Sequence, residues 1–482
     1  MNHYIQSEDR NEIQIRSLDC MVNLDNPVRL IDYLINRIIA NNPDKFNIKG
    51  QSHTGRRAYS PLTMIKLFVY GYLHRIPSSR RLERECHINI ELQWLLGNLR
   101  PDFKTIADFR KDNAEAFQSV KVEFRKMLVE MGMISSSLVA IDGTKIKANA
   151  SNTFYKAMDI NELLKKSELE MQQYLNLMHT NDVLNEAEAT QSSELRMSDI
   201  EQRIKELEAN ISKLKELQLY SELNAGIGVN PVDQDSRRML NHGKTEAAFN
   251  VQIAVDDKHH LIVADEVLQD ANDKNGMKPV LTALRNELGI EPDKAVMDMG
   301  YINAVALQEM ERDSSTDLYV VTGSVSPGQT TDTAFNKWVF TYNSDNDTYT
   351  CPAGQTLVRR GGILQCRKRK SARYFCPKSI CIACEYKSCC IKGESGRSLI
   401  RYTDEEWMEE FNNRMKSTTS REILNRRKAI VEHVFGTLKR WMGYQPLLLR
   451  GLIKVRTEIS LYTIGYNLRR VLNIGIPGFW LI

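Results

Sequence analysis

The sequence lacks several features that would place it in a common class of protein. It contains no run of about 18 apolar residues, which argues against a membrane-spanning helix. Its first residues, MNHYIQSEDRNEIQ, are polar and mixed in charge, so they do not predict a signal peptide. Its 9 cysteines are too few for a disulfide scaffold in a chain of 482 residues. We therefore expect a cytoplasmic protein that has no membrane partner.

The chain also has little net charge. Its 65 Lys and Arg against 61 Asp and Glu leave a formal charge of +4, which alone does not indicate a nucleic-acid partner. The basic residues are, however, concentrated between residues 51 and 110 and between residues 323 and 401. Because a small sum can hide strong local asymmetry, this distribution favours DNA as a partner.

Motifs of several common enzyme classes are missing as well. The segment His242-Gly-Lys-Thr245 looks like the end of a phosphate-binding loop, but Arg238 stands where that motif needs a glycine. The sequence contains neither a G-x-S-x-G elbow nor an H-E-x-x-H helix. These absences argue against nucleotide hydrolysis, a serine hydrolase and a zinc protease.

Residues 1–135 predict a helical domain. A helix should begin at Pro61, and two more should cover Ser79 to His87 and Thr105 to Phe117. The basic side chains in this region could meet DNA phosphates, or they could form only the solvated face of an ordinary helical domain. The DNA contacts predicted here are Arg56, Arg57, Arg80 and Arg81.

Residues 136–322 and 402–482 predict an α/β core with the element order of an RNase H-like mixed sheet. Strands are expected at 137–142, 249–255, 260–267, 294–298 and 317–322, helices at 276–288 and 303–311, and a long final helix after residue 404. Two insertions interrupt this core. The first, 155–223, has a heptad seam that predicts a coiled-coil hairpin, whose role could be structural, self-association or DNA contact. The second is the basic, cysteine-rich segment 323–401.

Seven of the cysteines lie in that second insertion. Cys381-x-x-Cys384, followed by Cys390 and preceded by Cys351, could form a tetrahedral, structural Zn²⁺ site. Cys366, Cys376 and Cys389 are alternative ligands. The other interpretation is a reduced, cysteine-rich domain without metal.

Three acids are placed to hold divalent cations. Asp142 and Asp298 each end a predicted apolar strand, and Glu432 lies on a late helix whose apolar face should pack on the core. A cluster of carboxylates can bind two Mg²⁺ ions for phosphodiester chemistry. Asp256, Asp273 and Glu458 are alternative acids, and His433 could be a packing or phosphate contact.

With these motifs, the sequence resembles the DDE transposases of bacterial insertion sequences, in the group with a Tyr-Arg-Glu-Lys signature. The resemblance rests on Gly55-Arg-Arg-Ala-Tyr-Ser-Pro61, Ile141-Asp-Gly-Thr144, Asp298-Met-Gly-Tyr301 and Val431-Glu-His-Val-Phe-Gly436. Lys439 follows Glu432 at the spacing of the signature, whereas Asn425 and Lys428 replace its Tyr and Arg.

The resemblance implies an enzyme that binds the terminal inverted repeats of its own element, cleaves the DNA ends and joins them to target DNA. Asp142, Asp298 and Glu432 would be catalytic and would bind two Mg²⁺ or Mn²⁺ ions per site. Lys439, Arg426, Arg427 and Lys428 would contact DNA, and a homodimer would pair the two ends. The alternatives are an RNase H-like nuclease without strand transfer and a catalytically silent DNA-binding protein derived from a transposase.

Overall fold

The computed structural model describes most of the chain. The described residues are 15–46, 58–135, 137–185, 191–224, 226–241, 243–322, 335, 337–366, 369–391, 393, 395–443 and 446–475. They fall into two units, the first comprising residues 1–295 and 427–482 and the second residues 296–426. The described structure is mixed α/β with a helical amino-terminal region.

The α-helices are α1 (Pro27–Asn41), α2 (Pro61–Leu73), α3 (Ser79–Ile88), α4 (Ile90–Leu96), α5 (Phe103–Asp112), α6 (Ala114–Glu130), α7 (Ala157–Asn185), α8 (Gln191–Leu223), α9 (Met277–Leu288), α10 (Ala304–Asp313), α11 (Lys378–Ile382), α12 (Lys387–Cys390), α13 (Glu405–Met415), α14 (Thr418–Gly436) and α15 (Leu452–Ile474). The strands are β1 (Leu138–Lys147), β2 (Arg237–Asn241), β3 (Lys244–Asp256), β4 (Ile262–Leu268), β5 (Lys294–Met297), β6 (Asp317–Val320), β7 (Thr341–Asn343), β8 (Thr348–Thr350), β9 (Thr356–Arg359), β10 (Leu364–Cys366), β11 (Arg369–Phe375) and β12 (Ser398–Tyr402).

The amino-terminal helices follow the predicted order with one correction. The helix expected from Pro61 is confirmed as α2, which is buried on almost every side. The helix predicted for residues 105–117 is wrong, because the chain breaks at Asn113 into α5 and α6. Asn113 leaves the helical conformation and its side chain donates to the Phe109 carbonyl, which ends α5. Helix α6 begins at the next residue, Ala114.

Strand β3 organises the sheet of the first unit. From Ala248 to Asp256 it pairs antiparallel with β1, while β2 pairs with its first residues and β4 with residues from Asn250 to Val255. The prediction that the first strand ends at Asp142 is wrong. Pairing continues from Gly143 opposite Gln252 to Lys147 opposite Ala248, so Asp142 lies in the middle of β1.

Helices α6 and α15 fix the helical region to this sheet. Helix α15 packs against α2, α6 and β4, and its buried Asn467 exchanges two hydrogen bonds with the backbone of Ile262. From α6, Arg125 and Lys121 form ion pairs with the buried Asp265 of β4. Burial would raise the pKa of Asp265, but these two cations outweigh it and lower the pKa below its ordinary value.

Helices α7 and α8 pack against each other within the first unit. Their apolar seam buries Ile160, Leu164, Ile211, Leu214 and Leu217. Polar contacts flank the seam, including an ion pair between Arg203 and Glu170 at 2.9 Å. The side chain of Met197, which belongs to the predicted heptad, lies outside the described residues.

The second unit contains a small antiparallel sheet in the order β10-β11-β9-β8-β7, with β12 also paired to β11. Its core consists of Phe340, Tyr349, Leu357, Ala372, Tyr374, Cys376 and Leu399. The first residues of the predicted cysteine-rich insertion, 323–334, lie outside the described residues.

The long final helix predicted after residue 404 is instead three helices, α13, α14 and α15. Ser417 separates the first two, since its hydroxyl accepts the N–H of Ser420 and so starts α14. Within the described part of the chain, no helix is long and apolar enough to cross a membrane.

Candidate functional site

Two of the three predicted acids meet at one guanidinium in the first unit. Asp142 Oδ2 lies 3.2 Å from Arg427 Nη1, and Glu432 Oε1 lies 3.7 Å from Arg427 Nη2. Strand β1 supplies Asp142, whereas helix α14 supplies both Arg427 and Glu432. Ile430, Val431 and Val434 are buried on the same helix, so apolar packing holds α14 in place. The arrangement brings together residues that are 285 positions apart in the sequence.

Exposure differs among the three side chains. The Arg427 side chain is 11% exposed and that of Asp142 19%, whereas the Glu432 side chain is 56% exposed. Arg427 was predicted to contact DNA, but its guanidinium faces the acids instead of solvent. A partly buried ion pair of this kind is screened less than a surface pair. It can therefore fix the orientation of Asp142 while leaving Glu432 open to a ligand.

Lys439 lies close enough to interact electrostatically with this site. It belongs to a π-helical turn, Thr437–Trp441, that continues α14. Such turns are rare and occur often at functional sites. Burial lowers the pKa of Lys439, Asp142 opposes this shift, and Lys145 adds to it. Lys439 is thus a half-buried amine whose pKa is influenced by both neighbours.

A polar network follows Asp142 along β1. Lys145 Nζ lies 2.9 Å from Asp273 Oδ2. Asp273 Oδ1 also accepts hydrogen bonds from Asn250 at 2.9 Å and from the buried Gln252 at 2.8 Å. Asp273 was an alternative acid in the sequence. Its ion pair and hydrogen bonds instead connect β1 and β3 to the segment that precedes α9.

Gly143 is packed too closely to this network to accept a side chain. A Cβ atom there would lie 2.1 Å from Gln252 Nε2 and 2.5 Å from Asp273 Oδ1. We expect Gly143→Ala to destabilise the protein by about 1–3 kcal/mol, because Gln252 cannot move without breaking its hydrogen bonds. Thermal or denaturant unfolding measures this change.

Gly436→Ala provides the matched control. Apart from its chain neighbours and the backbone of its own helix, no atom of the described residues lies within 4 Å of a Cβ built at Gly436, and its φ of −57° is helical. The control should be neutral or slightly stabilising, since alanine favours a helix over glycine by up to about 1 kcal/mol. If the Gly143→Ala variant were as stable as the wild type, Gln252 and Asp273 would be able to move away from the new methyl group at little cost, contrary to our expectation.

Asp298, the third predicted acid, belongs to the second unit. It follows β5 and its Oδ1 accepts the N–H of Gly300 at 2.8 Å, which begins a short 3₁₀ turn at Met299–Tyr301. In the first unit, the N–H of Lys294 at the start of β5 donates to the Ser137 carbonyl beside β1. The association of Asp298 with Asp142 and Glu432 remains a prediction.

The other acids have structural partners. Asp256 accepts backbone N–H groups of Lys258, His259 and Leu261, and so holds the turn between β3 and β4. Burial raises its pKa, against these hydrogen bonds. Glu458 accepts the N–H groups of Leu448 and Leu449 before α15. Both carboxylates therefore stabilise loops.

His433 packs edge-on against His260, with ring centroids 4.7 Å apart. Burial lowers the pKa of both rings, and each is weakly basic as a result. This contact favours a packing role for His433.

The predicted DNA contacts are only partly described. Arg80 and Arg81 are exposed on α3, and Arg426 and Lys428 are exposed on α14. Arg56 and Arg57 lie outside the described residues. The exposed cations can reach phosphates, whereas Arg427 forms ion pairs with Asp142 and Glu432.

The donor atoms suit a hard divalent cation. Asp142 and Glu432 present carboxylate oxygens to the same positive charge, and Mg²⁺ prefers oxygen ligands. Among the described residues, no group of three or more His, Cys, Asp or Glu is assembled to hold a metal ion. Asp142 and Glu432 are therefore suitable ligands for Mg²⁺, but the two acids alone do not form a complete coordination shell.

The observed roles of Lys145 and Arg427 in this site were not predicted from the sequence. The ion pair between Lys145 and Asp273 depends on β1 lying next to the loop before α9, and the partnership between Arg427 and Asp142 depends on β1 lying next to α14. The only signal was local, since Lys145 follows Asp142 by three residues and Arg427 precedes Glu432 by five.

Two protein-family models match the chain. One, described as a Transposase domain (DUF772), matches residues 16–112, and the other, described as a Transposase DDE domain, matches residues 350–472. The first match spans helices α1 to α5. The second includes Arg427, Glu432 and Lys439, whereas Asp142 and Asp298 precede it. Comparisons with curated proteins and with solved structures found no match.

Proposed function

We propose that this chain, which carries two matched domains of an insertion-sequence transposase, moves its own element by DDE chemistry. In this proposal it binds the terminal inverted repeats, cleaves the DNA at the element ends and joins the freed 3′-hydroxyl groups to target DNA. Residues 136–322 and 402–482 would form an RNase H-like catalytic core. Residues 1–135 would form the helical DNA-binding domain.

The observation that carries this proposal is the meeting of Asp142 and Glu432 at Arg427. The Asp142 carboxylate, which is 19% exposed in the middle of β1, is costly unless a cation compensates it, whereas Glu432 is 56% exposed. The guanidinium supplies that compensation at 3.2 Å from Asp142 and 3.7 Å from Glu432. The Transposase DDE domain match includes Glu432, which supports its assignment as the third acid.

Asp142, Asp298 and Glu432 would hold two Mg²⁺ or Mn²⁺ ions. When bound, these ions would supply activation of the attacking oxygen and stabilisation of the leaving oxygen. The assignment of Asp298 as a metal ligand rests on its sequence motif, Asp298-Met-Gly-Tyr301. The half-exposed Glu432 leaves that side of the site accessible to a DNA strand.

The cations around the acids would orient the site and bind DNA. Arg427 would hold the Asp142 carboxylate in one orientation through its charge-assisted hydrogen bond. Lys439 would contact a phosphate beside the acids. The exposed residues Arg80, Arg81, Arg426 and Lys428, together with Arg56 and Arg57, would follow the DNA backbone. Since two ends must be joined, a homodimer would form the end-paired complex.

A reconstituted reaction tests the proposal. The flanks of the gene are first read for matching inverted repeats, and DNA carrying those ends is then incubated with the protein and Mg²⁺. We expect end cleavage and joined products that depend on the repeats. Cleavage without joining would replace the proposal with an RNase H-like nuclease. Binding without either product, at Mg²⁺ or Mn²⁺ concentrations in the millimolar range, would replace it with a silent DNA-binding protein.

A further inference from the structure

Five cysteines of the second unit line one small cavity. They are Cys351, Cys376, Cys381, Cys384 and Cys390, and the cavity volume is about 30 Å³. All five are free thiols. This volume exceeds the roughly 10–15 Å³ needed for a single water molecule, so a metal ion also fits.

Cys351 occupies a tight turn that points one backbone N–H group at its sulfur. Gly354 has a φ of +74°, and its N–H donates to the Cys351 carbonyl at 2.8 Å. The next N–H, that of Gln355, lies 3.3 Å from Cys351 Sγ. The hydrogen bond holds the Cys351 sulfur in a defined position of the turn.

Cys381 has an equivalent environment from another part of the chain. The N–H of Arg397 lies 3.3 Å from Cys381 Sγ. Cys384 follows after a further turn of the backbone, and Cys390 ends α12. The two turns therefore present sulfurs from sequence-distant segments to the same cavity.

Cations next to the cavity suit a site rich in thiolates. Lys387 and Arg397 both contribute to its lining. The Arg397 guanidinium is fixed by hydrogen bonds to the carbonyls of Cys390 and Phe335, each at 2.9 Å. Four thiolates around one divalent cation carry a net charge of −2, and these two positive groups would offset it.

Cys376, which also lines the cavity, and Cys389 differ from Cys351, Cys381, Cys384 and Cys390. Cys376 is 2% exposed and belongs to the apolar core beside Leu357 and Leu399. Cys389 is exposed, next to Ser388, and does not line the cavity. The side chain of Cys366, an alternative ligand in the sequence, lies outside the described residues. This comparison selects a ligand set of four from the candidates.

We propose that Cys351, Cys381, Cys384 and Cys390 bind one structural Zn²⁺ ion. Four thiolates match the tetrahedral preference of zinc, and a closed shell of protein ligands leaves no position for a substrate. Because no three of these side chains are assembled around one point, binding requires rotation of the thiols, which their partial exposure permits. The apolar core of this unit is small, so a bound metal ion would add substantially to the folding free energy of the unit.

Metal analysis of the purified full chain tests this site. The protein is incubated with ZnCl₂ and a reductant, freed of unbound metal, and analysed for zinc by mass spectrometry. We expect about one zinc per chain in the wild type, and a loss of most of it in Cys381→Ser and Cys390→Ser. The matched control, Cys389→Ser, changes the adjacent exposed thiol and should keep the wild-type content.

Cobalt provides a second readout that does not require the serine variants to fold. Co²⁺ added to the wild-type protein should produce the intense visible bands of a tetrahedral thiolate site, and Zn²⁺ should remove them. The Cys376→Ala variant should keep the zinc content of the wild type and should show the same visible bands with Co²⁺. A zinc content near zero in the wild type, or an absence of thiolate bands with cobalt, would overturn the proposal. Retention of zinc in Cys381→Ser or Cys390→Ser, or its loss in Cys376→Ala, would overturn the ligand set.

Discussion

Replacing Asp142 with alanine should abolish both DNA end cleavage and end joining while leaving DNA binding nearly unchanged. The substitution removes a carboxylate from the middle of β1 that we assign to metal binding, but it removes no cation that could contact phosphate. We expect the cleavage rate to fall by about 10³-fold or more, which corresponds to roughly 4 kcal/mol of transition-state stabilisation. Gel-based cleavage assays and fluorescence anisotropy with the same end-containing DNA measure the two effects.

Asp270→Ala is the control for this variant. Asp270 is an exposed acid after β4 in the same unit, so its loss changes the net charge equally without touching the site. It should cleave DNA at the wild-type rate. Cleavage by Asp142→Ala within threefold of the wild type would refute the assignment of Asp142.

Replacing Arg427 with alanine should slow catalysis without a comparable loss of DNA affinity. The guanidinium contacts both Asp142 and Glu432 and is largely shielded from solvent, so its main effect is on the orientation of the acids. Loss of a group that orients a metal ligand typically costs about 10–100-fold in activity or metal affinity. Single-turnover rates at saturating DNA, measured over a range of Mg²⁺ concentrations, give the size of the effect. Arg427→Lys should recover only part of it, because an ammonium group cannot contact both acids as a planar guanidinium does.

Lys428→Ala offers a matched comparison on the next residue of α14. Lys428 is exposed, and its removal should weaken DNA binding and reduce the salt dependence of binding, with little change in the rate at saturating DNA. If Arg427→Ala instead behaved like Lys428→Ala, Arg427 would be a DNA contact and its ion pairs with the acids would be incidental.

Local patterns in the sequence predicted much of the fold. Apolar runs identified β4, β5 and β6 and the start of β1, and the helix predicted for residues 276–288 is confirmed as α9. These elements are specified by nearby residues, through alternation of apolar side chains and by Pro or Gly at their ends. Strand β2 was missed because its polar sequence, Arg-Arg-Met-Leu-Asn, has little apolar alternation, although it forms a local hairpin with β3 in which Asn241 lies opposite Lys244.

The site was harder to predict because it depends on contacts between distant segments. The three acids were selected by motif, but the pairing of Asp142 with Arg427 follows only from the packing of α14 near β1. The continuation of β1 beyond Asp142 was missed since Gly143-Thr-Lys-Ile-Lys147 is weakly apolar and is held by pairing with β3. The π-helical turn that contains Lys439 likewise has no signal in the local sequence.

We propose that Asp142, Asp298 and Glu432 bind the same catalytic ions. Substitution of each acid by cysteine tests it most directly, because a thiolate is a softer ligand than a carboxylate and disfavours Mg²⁺ more than Mn²⁺. The measurement is the rate of DNA end cleavage by Asp142→Cys, Asp298→Cys and Glu432→Cys in each metal. We predict that all three variants are inactive with Mg²⁺ and recover part of their activity with Mn²⁺. A wild-type rate with Mg²⁺ in any one of them would contradict the account.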